Sequence, residues 1–346
     1  MTTERPPALT RSSPPTVSVI VPMRNEAGHV ATLVRDIAAQ DYVGSLQVIV
    51  ADGASEDDSV GRLRAAAREA GLDLTVVENP RRLVSPGLNA CLAAARGDVI
   101  VRMDCHARYP HDYLRRCILA LEETGAWNVG GRLVPVGRTP TERAVACAMA
   151  SPFGGVGWTR HGSARAEVDT VFFGAFPSWV FDRVGLFDET LVRNQDADLN
   201  IRIRQAGGRI VLDPAIEIRY IPRGTYRALF RQYYEYGLWR GRVAAKHRQA
   251  PTARTLAPLA LVSSLVALAA LAPGVPLARR LLAWELGAYG LAAASFAVSA
   301  VIRRRESALL LPKVLAAFPA FHLAHGIGMG QAIVETLRRR WLRPPR

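Results

Sequence analysis

Lysine is almost absent. Of the 44 basic residues in this 346-residue chain only Lys246 and Lys313 are lysines, so the excess of 14 positive charges rests on arginine. Such an excess is compatible with nucleic acid, a membrane surface or solubility alone. Much of it follows residue 218 and flanks apolar segments, the pattern of a chain seated on anionic lipid, and no base-reading motif accompanies it. Nucleic acid is therefore not an expected partner. Cysteine is scarce too: Cys91, Cys105, Cys117 and Cys147 show no CxxC spacing and no disulfide-scaffold density, which leaves reduced thiols in a cytosolic domain. Neither GxGxxG nor GxxxxGK[ST] occurs, so a dinucleotide fold or a P-loop has no support. Residues 1–16 are rich in Pro, Thr and Ser and lack an apolar h-region; they are expected to be a disordered tail rather than a signal peptide.

What is present is an alternation. β-Branched runs at 17–22, 46–51, 72–78 and 99–101 predict strands, and the intervening stretches to about 40, 70 and 96 predict helices. Ser55 with Asp58 fits a capping box for the second helix. Strands alternating with helices of this length predict an α/β protein with a doubly wound, mostly parallel sheet. The first, second and fourth strands are each followed by acidic or amide side chains, namely Asn25 and Glu26, Asp52, and Asp104. The carboxyl edge of such a sheet is where ligands bind, so three such loops predict a polar crevice. Asp104 and His106, alternate residues in extended backbone, can point the same way and hold one Mn²⁺ or Mg²⁺ carrying a diphosphate. An ordinary polar turn is the competing reading.

Residues 111–125 predict a helix and 126–134 a strand. The stretch 137–168, with Gly154, Gly155, Gly157 and Gly162, has the look of a lid or binding loop. The aromatic run FFGAFPSW at 172–179 is either a sugar-stacking wall or ordinary core. A helix starting at Asn194 and closing at Gly207 carries Asp196 in its first turn, where complementing the helix dipole and acting in catalysis are equally compatible with the spacing. Residues 226–248 form an arginine-rich helix with Phe230, Tyr234 and Leu238 along one stripe, suited to a membrane interface.

From residue 256 the composition changes. Residues 256–278 are uncharged for 23 residues, enough to span hydrocarbon, and 281–302 is a second candidate with Glu285 near one end. Residues 307–333 carry Lys313, His322 and His325 and are either a third span or an interfacial helix. Basic clusters at 240–254, 303–305 and 338–346 all prefer the cytoplasm, which two spans satisfy and three do not. The expected organisation is a tail (1–16), an α/β domain (17–224), an interfacial helix (225–254), membrane segments (255–335) and a basic tail (336–346).

Four motifs occur in a telling order: VSVIVPMRNE at 17–26, DGASEDD at 52–58, DCHARY at 104–109 and NQDADL at 194–199. Together they resemble family 2 glycosyltransferases of GT-A fold, and within these the bacterial succinoglycan-biosynthesis type, over roughly residues 16–245. The resemblance implies transfer of a sugar, with inversion, from a nucleotide-diphosphate donor (a UDP-sugar foremost) to a hydroxyl acceptor. It implies that Pro22, Arg24, Asn25 and Glu26 line the nucleotide pocket, that Asp52 bonds the base or ribose, and that Gly87 and Asn89 lie beside the donor. Asp104 matches the first acid of the family's D-x-D, with His106 in place of the second, as ligands of Mn²⁺ or Mg²⁺. Asp196 matches the catalytic base, with Gln195 where that motif usually has Glu. QYYEY at 232–236 begins like the QxxRW signature of processive synthases, but Glu235 and Tyr236 replace its Arg and Trp, which disfavours processive polymerisation. The apolar tail suits a polyprenyl-diphosphate-linked acceptor at the cytoplasmic (inner) membrane, with the catalytic domain facing the cytoplasm. Rival readings are a nucleotidyltransferase acting on sugar phosphates and a non-catalytic membrane scaffold retaining the fold.

Overall fold

The structure, a computed structural model, describes residues 13–154 and 164–341, without the side chains of 339–341. Most of the expected N-terminal tail, Gly155, Gly157 and Gly162 of the expected lid, and the end of the basic tail lie outside the described residues. The chain forms two compact units, one from residues 13–134 with 164–220, the other from 135–154 with 221–341.

In the first unit the described strands are β1 (Val17–Met23), β2 (Leu46–Asp52), β3 (Leu74–Glu78), β4 (Val99–Arg102), β5 (Ala107–Arg108), β6 (Asn128–Pro135), β7 (Ala166–Glu167), β8 (Ala175–Pro177) and β9 (Ile210–Tyr220). They make one sheet in the order β3-β2-β1-β4-β8-β6-β9-β5, with β7 on β9. The four strands read from the β-branched runs are parallel, linked through α1 (Val30–Ala38), α2 (Ser59–Glu69) and α3 (Val84–Ala94). The runs of β1, β2 and β4 are continuous rather than alternating because both faces are covered: Val19, Ile20, Val21, Ile49, Val50, Val99 and Val101 are fully buried, whereas the edge strand β3 is half-buried. Each such side chain contributes about 1.5–3 kcal/mol relative to exposure. Beyond β4 the sheet turns antiparallel, β4 pairing with β8, β8 with β6, and β9 with β5 and β7. Of these, β6 is the strand expected at 126–134, β5, β7 and β8 are two or three residues long and too short for any periodicity, and β9 carries Pro214 within its run.

Register fixes the carboxyl edge. Met23 pairs with Asp52, and Ile20 with Arg102, so the ends of β1, β2 and β4 open on the same side. The expected capping box at Ser55 does not form. Helix α2 starts at Ser59 after Asp58 without a side-chain cap, while Ser55 and Asp57 accept hydrogen bonds from the backbone of Asn25 and Ala27 instead. These side chains serve the neighbouring loop, a competition that local pattern cannot register.

In the second unit the stretch expected to be irregular contains α5 (Pro140–Ala150), following α4 (Tyr113–Thr124) of the first unit. A capping box starts it: Thr139 accepts from the Glu142 backbone, Glu142 reaches back, and Pro140 occupies the first turn. The T-x-x-E signal was present in the sequence and decides against a loop there. After α6 (Trp179–Val184) and α7 (Gln195–Gln205) of the first unit come α8 (Tyr226–His247), α9 (Ala253–Leu271), α10 (Pro276–Arg303) and α11 (Leu311–Trp341). Three helices, Ala253–Leu271, Pro276–Arg303 and Ala308–Arg338, are long and apolar enough to cross a membrane. His322, one of the two histidines of the third, is satisfied by neighbours: Nδ1 pairs with Tyr289 Oη at 2.9 Å and Nε2 with the Phe153 carbonyl at 2.8 Å.

Helices α8 and α11 run side by side in the same direction. Tyr226 donates to the Lys313 carbonyl at 2.6 Å, Tyr233 stacks on Phe321 at 4.3 Å, and Arg242 forms a forked pair with Glu335 at 2.9–3.1 Å. Small residues permit this approach: a Cβ at Gly237 would overlap the His325 carbonyl, and one at Gly328 the Tyr234 carbonyl. Gly328→Val is therefore expected to lower the stability of this unit by about 1–3 kcal/mol or more, because backbone rather than a movable side chain fills the space. Thermal unfolding of the detergent-solubilised protein reads the loss, and an unchanged transition contradicts the packing.

Candidate active site

Arg102, the last residue of β4, is the hub of the site. Alternate residues of an extended segment share a face, and Arg102 uses this to grip Asp104: Nε and one terminal nitrogen each donate to a different Asp104 oxygen at 3.0 Å. Its other terminal nitrogen donates to Asp196 Oδ1 at 2.6 Å. Arg102 is 4 % exposed, and its guanidinium carbon lies 5.5 Å from the centre of the Phe173 ring. Burial works against its charge, but Asp104 and then Asp196 outweigh that and hold it above the ordinary arginine range. Sequence reasoning missed this residue. The available signal was an arginine ending the run VIVR, since arginine is almost never buried unless paired.

Asp196 reaches Arg102 from the first turn of α7, whose start is set by Asn194 in the left-handed conformation (φ 60°). The two carboxylates proposed for donor and acceptor chemistry thus meet on one cation. Burial pushes the Asp196 carboxyl above the usual carboxylate range; Arg102 pulls it down and Asp104 pushes it up again. The backbone of Asp104 is fixed as well, its N–H donating to Tyr109 Oη at 2.7 Å. Tyr109 in turn stands on Asp36, which accepts the Tyr109 N–H at 3.0 Å and a two-pronged bond from Arg108 at 2.8 Å.

His106 takes a different partner from the one expected. Residues 105 and 106 form a turn closed by the Ala107 N–H on the Asp104 carbonyl at 3.2 Å, so the extended backbone that would align Asp104 with His106 ends too early. Asp104 is held on both oxygens by Arg102, while His106 Nε2 lies 2.8 Å from Glu26 Oε1. His29, at the start of α1, brings Nδ1 to 3.1 Å from Glu26 Oε2, and the two imidazole rings meet edge to face at 4.7 Å. Asp104 thus pairs with Arg102 and His106 with Glu26. Glu26, His29 and His106 are the group of metal-ligating side chains found together among the described residues.

The remaining expected donor residues divide. Pro22, Arg24, Asn25 and Glu26 occupy the β1 end and the loop after it. That loop is rigidly held, with Asn25 at φ 55°, its N–H on Ser55 Oγ at 2.9 Å, its side chain accepting from the Glu56 N–H at 2.8 Å, and the Glu26 N–H on Ser59 Oγ at 2.6 Å. Arg24 faces Glu56 at 3.7 Å. Asp52 ends β2 and accepts from the Ser55 N–H at 3.2 and 3.4 Å. Gly87 lies where a Cβ would press on Asn79, and Asn89 exchanges hydrogen bonds with the Phe187 backbone at 2.9 and 3.0 Å. Asn89 thereby ties α3 to the chain at Phe187. Of the aromatic run, Phe176 packs with Phe181 as core, and the half-buried Trp179 meets Trp127 edge to face.

A family model for glycosyl transferase family 2 matches residues 18–171. The succinoglycan biosynthesis protein ExoA of Rhizobium meliloti (strain 1021) is 32 % identical over 258 residues, 70 % of this chain and 74 % of that protein. The chain belongs to glycosyl transferase family 2. A dolichyl N-acetyl-α-D-glucosaminyl phosphate 3-β-D-2,3-diacetamido-2,3-dideoxy-β-D-glucuronosyltransferase of Methanococcus voltae is 21 % identical over 66 % of this chain and 74 % of its own length. Among solved structures, the mannosyltransferase PcManGT from Pyrobaculum calidifontis, in complex with GDP-Man and Mn²⁺, matches 95 % of this chain and 89 % of its own at 24 % identity with a TM-score of 0.63. The first unit accordingly has the GT-A fold of this glycosyltransferase family, and the chain is a glycosyltransferase of polysaccharide biosynthesis.

Proposed function

We infer that the chain transfers a sugar, with inversion, from a nucleoside-diphosphate donor to a hydroxyl of a lipid-linked saccharide. The observation that supports this most is the Arg102 bridge, which brings Asp104 and Asp196 together at the carboxyl edge of the parallel strands. Arg102 occupies Asp196 Oδ1 and fixes the carboxylate plane, which leaves Oδ2 to take the acceptor's proton. The acceptor oxygen then attacks the anomeric carbon as its bond to the diphosphate breaks, through an oxocarbenium-like state. The elevated affinity of Asp196 for a proton suits a base that must be ionised before, and protonated after, that step. A divalent cation, where one is bound, supplies charge neutralisation to the departing diphosphate.

A UDP-sugar is the expected donor, and purified full-length protein tested with UDP-, GDP- and dTDP-sugars for release of the nucleoside diphosphate decides it. Release with retention of the sugar on a lipid-extractable product supports the transferase. Formation of the nucleotide sugar from a sugar phosphate would instead support the nucleotidyltransferase, and no turnover the scaffold.

The arginine clusters at 240–254 and 303–305 on either side of α9 and α10 support seating in the cytoplasmic (inner) membrane with the first unit on the cytoplasmic side. Helix α11 lies along α8, which carries Arg227, Arg231, Arg240, Arg242 and Lys246. A helix so charged does not enter hydrocarbon readily, so its close partner α11 is placed at the interface rather than across the bilayer. A reporter fused after residue 346 should then be active on the cytoplasmic side. Activity on the far side would make α11 a third span.

A further inference from the structure

We propose that Glu26, His29 and His106 form a binding site for a divalent transition-metal ion, separate from the carboxylates held by Arg102. The three side chains come from two places, the loop after β1 and the turn after β4, yet their ligand atoms all lie within 4.8 Å of one another. Glu26 sits between the imidazoles, one oxygen toward each. Its Oε2 is buried and makes no hydrogen bond, the 3.1 Å approach of His29 being out of line. A buried carboxylate oxygen without a donor is an acceptor that the protein alone does not satisfy, and a cation placed among the three groups would satisfy it. His29 and His106 are 37 % and 40 % exposed on their side chains, which leaves open coordination positions toward solvent for water or a ligand oxygen.

The chemistry of the donors selects the ion. Two imidazoles and one carboxylate favour Zn²⁺, Co²⁺ or Mn²⁺ over Mg²⁺, which prefers an all-oxygen shell. The loop is already held in shape by Ser55, Asp57 and Ser59, so binding needs little rearrangement of Glu26. The sequence pattern D-x-H had pointed to Asp104 as the partner of His106; the turn at 105–106 sends the imidazole to Glu26 instead.

Cobalt supplies a test that does not depend on sugar transfer. Full-length protein in detergent, without nucleotide, is titrated with Co²⁺ and followed by its visible d–d absorption. Wild type should give a saturable spectrum with one equivalent bound, and His29→Ala should weaken binding roughly tenfold or more. Asp104→Asn should keep the spectrum and the affinity. His29→Asp, which restores an oxygen ligand, should recover part of what His29→Ala loses, guarding against a folding defect. The absence of any wild-type cobalt spectrum, an unaltered His29→Ala, or loss of the spectrum in Asp104→Asn each overturns the site. Failure here leaves the transferase reading standing, and failure of sugar turnover leaves the cobalt result readable.

Discussion

Replacing Asp196 by Asn is expected to reduce sugar transfer by about 10²- to 10⁴-fold, the range set by losing a positioned general base. The loss should fall on kcat, because Asp196 is assigned to the acceptor's proton and not to holding the donor. The amide oxygen of Asn can still accept from Arg102, so the hub is kept and the fold should survive, as circular dichroism would check. The wild-type pH profile carries the same information. Burial, opposed by Arg102 and reinforced by Asp104, raises the Asp196 pKa above 3.8. The rate should therefore climb with pH along an acid limb lying above the ordinary carboxylate range, and that limb should vanish in Asp196→Asn. A variant retaining wild-type kcat would remove Asp196 from the mechanism.

Arg102→Met is expected to be the most damaging single change in the first unit. It takes the cation away from two carboxylates while keeping most of the side-chain volume. Removing one partner of a buried pair costs about 3–5 kcal/mol, since the charge left behind is uncompensated. Two carboxylates are left here, though both keep some access to water, so the lower half of that range is expected. The pH dependence gives the mechanism away. Asp196 binds its proton more tightly folded than unfolded, so this group favours the folded state at low pH and that advantage fades as pH rises through the raised pKa. Without Arg102 the pKa rises further and the fade becomes larger, so Arg102→Met should melt closer to wild type near pH 5 than near pH 8. Arg102→Lys should rescue little, because one ammonium cannot reproduce the fork to Asp104 and the third bond to Asp196 together. Equal destabilisation at both pH values would mean that packing against Phe173, not charge, is what Arg102 provides.

Much was written along the chain in local form. Apolar runs gave the four parallel strands, continuous in β1, β2 and β4 because strands covered on both faces need apolar residues throughout. The acidic residues after β1, β2 and β4, the early-turn Asp196 and the family motifs followed from short spacings, as did the long apolar helices, whose character is a property of composition. Tertiary structure decided what depends on residues far apart. Arg102 and Asp196 are 94 positions apart, and only folding shows that one guanidinium joins them to Asp104. The turn at 105–106 sent His106 to Glu26, 80 positions upstream, where an extended backbone would have kept it beside Asp104. In the antiparallel half of the sheet β6 was legible as the strand expected at 126–134, whereas β5, β7 and β8 are only two or three residues long, too short for any periodicity. The pairing of α8 with α11 turns on glycines whose meaning appears only when another backbone fills the missing Cβ. Local chemistry thus named the acids and the strands, whereas the choice of partner for each charge waited on long-range packing, because burial makes an ion accept whichever counter-charge the fold brings within reach.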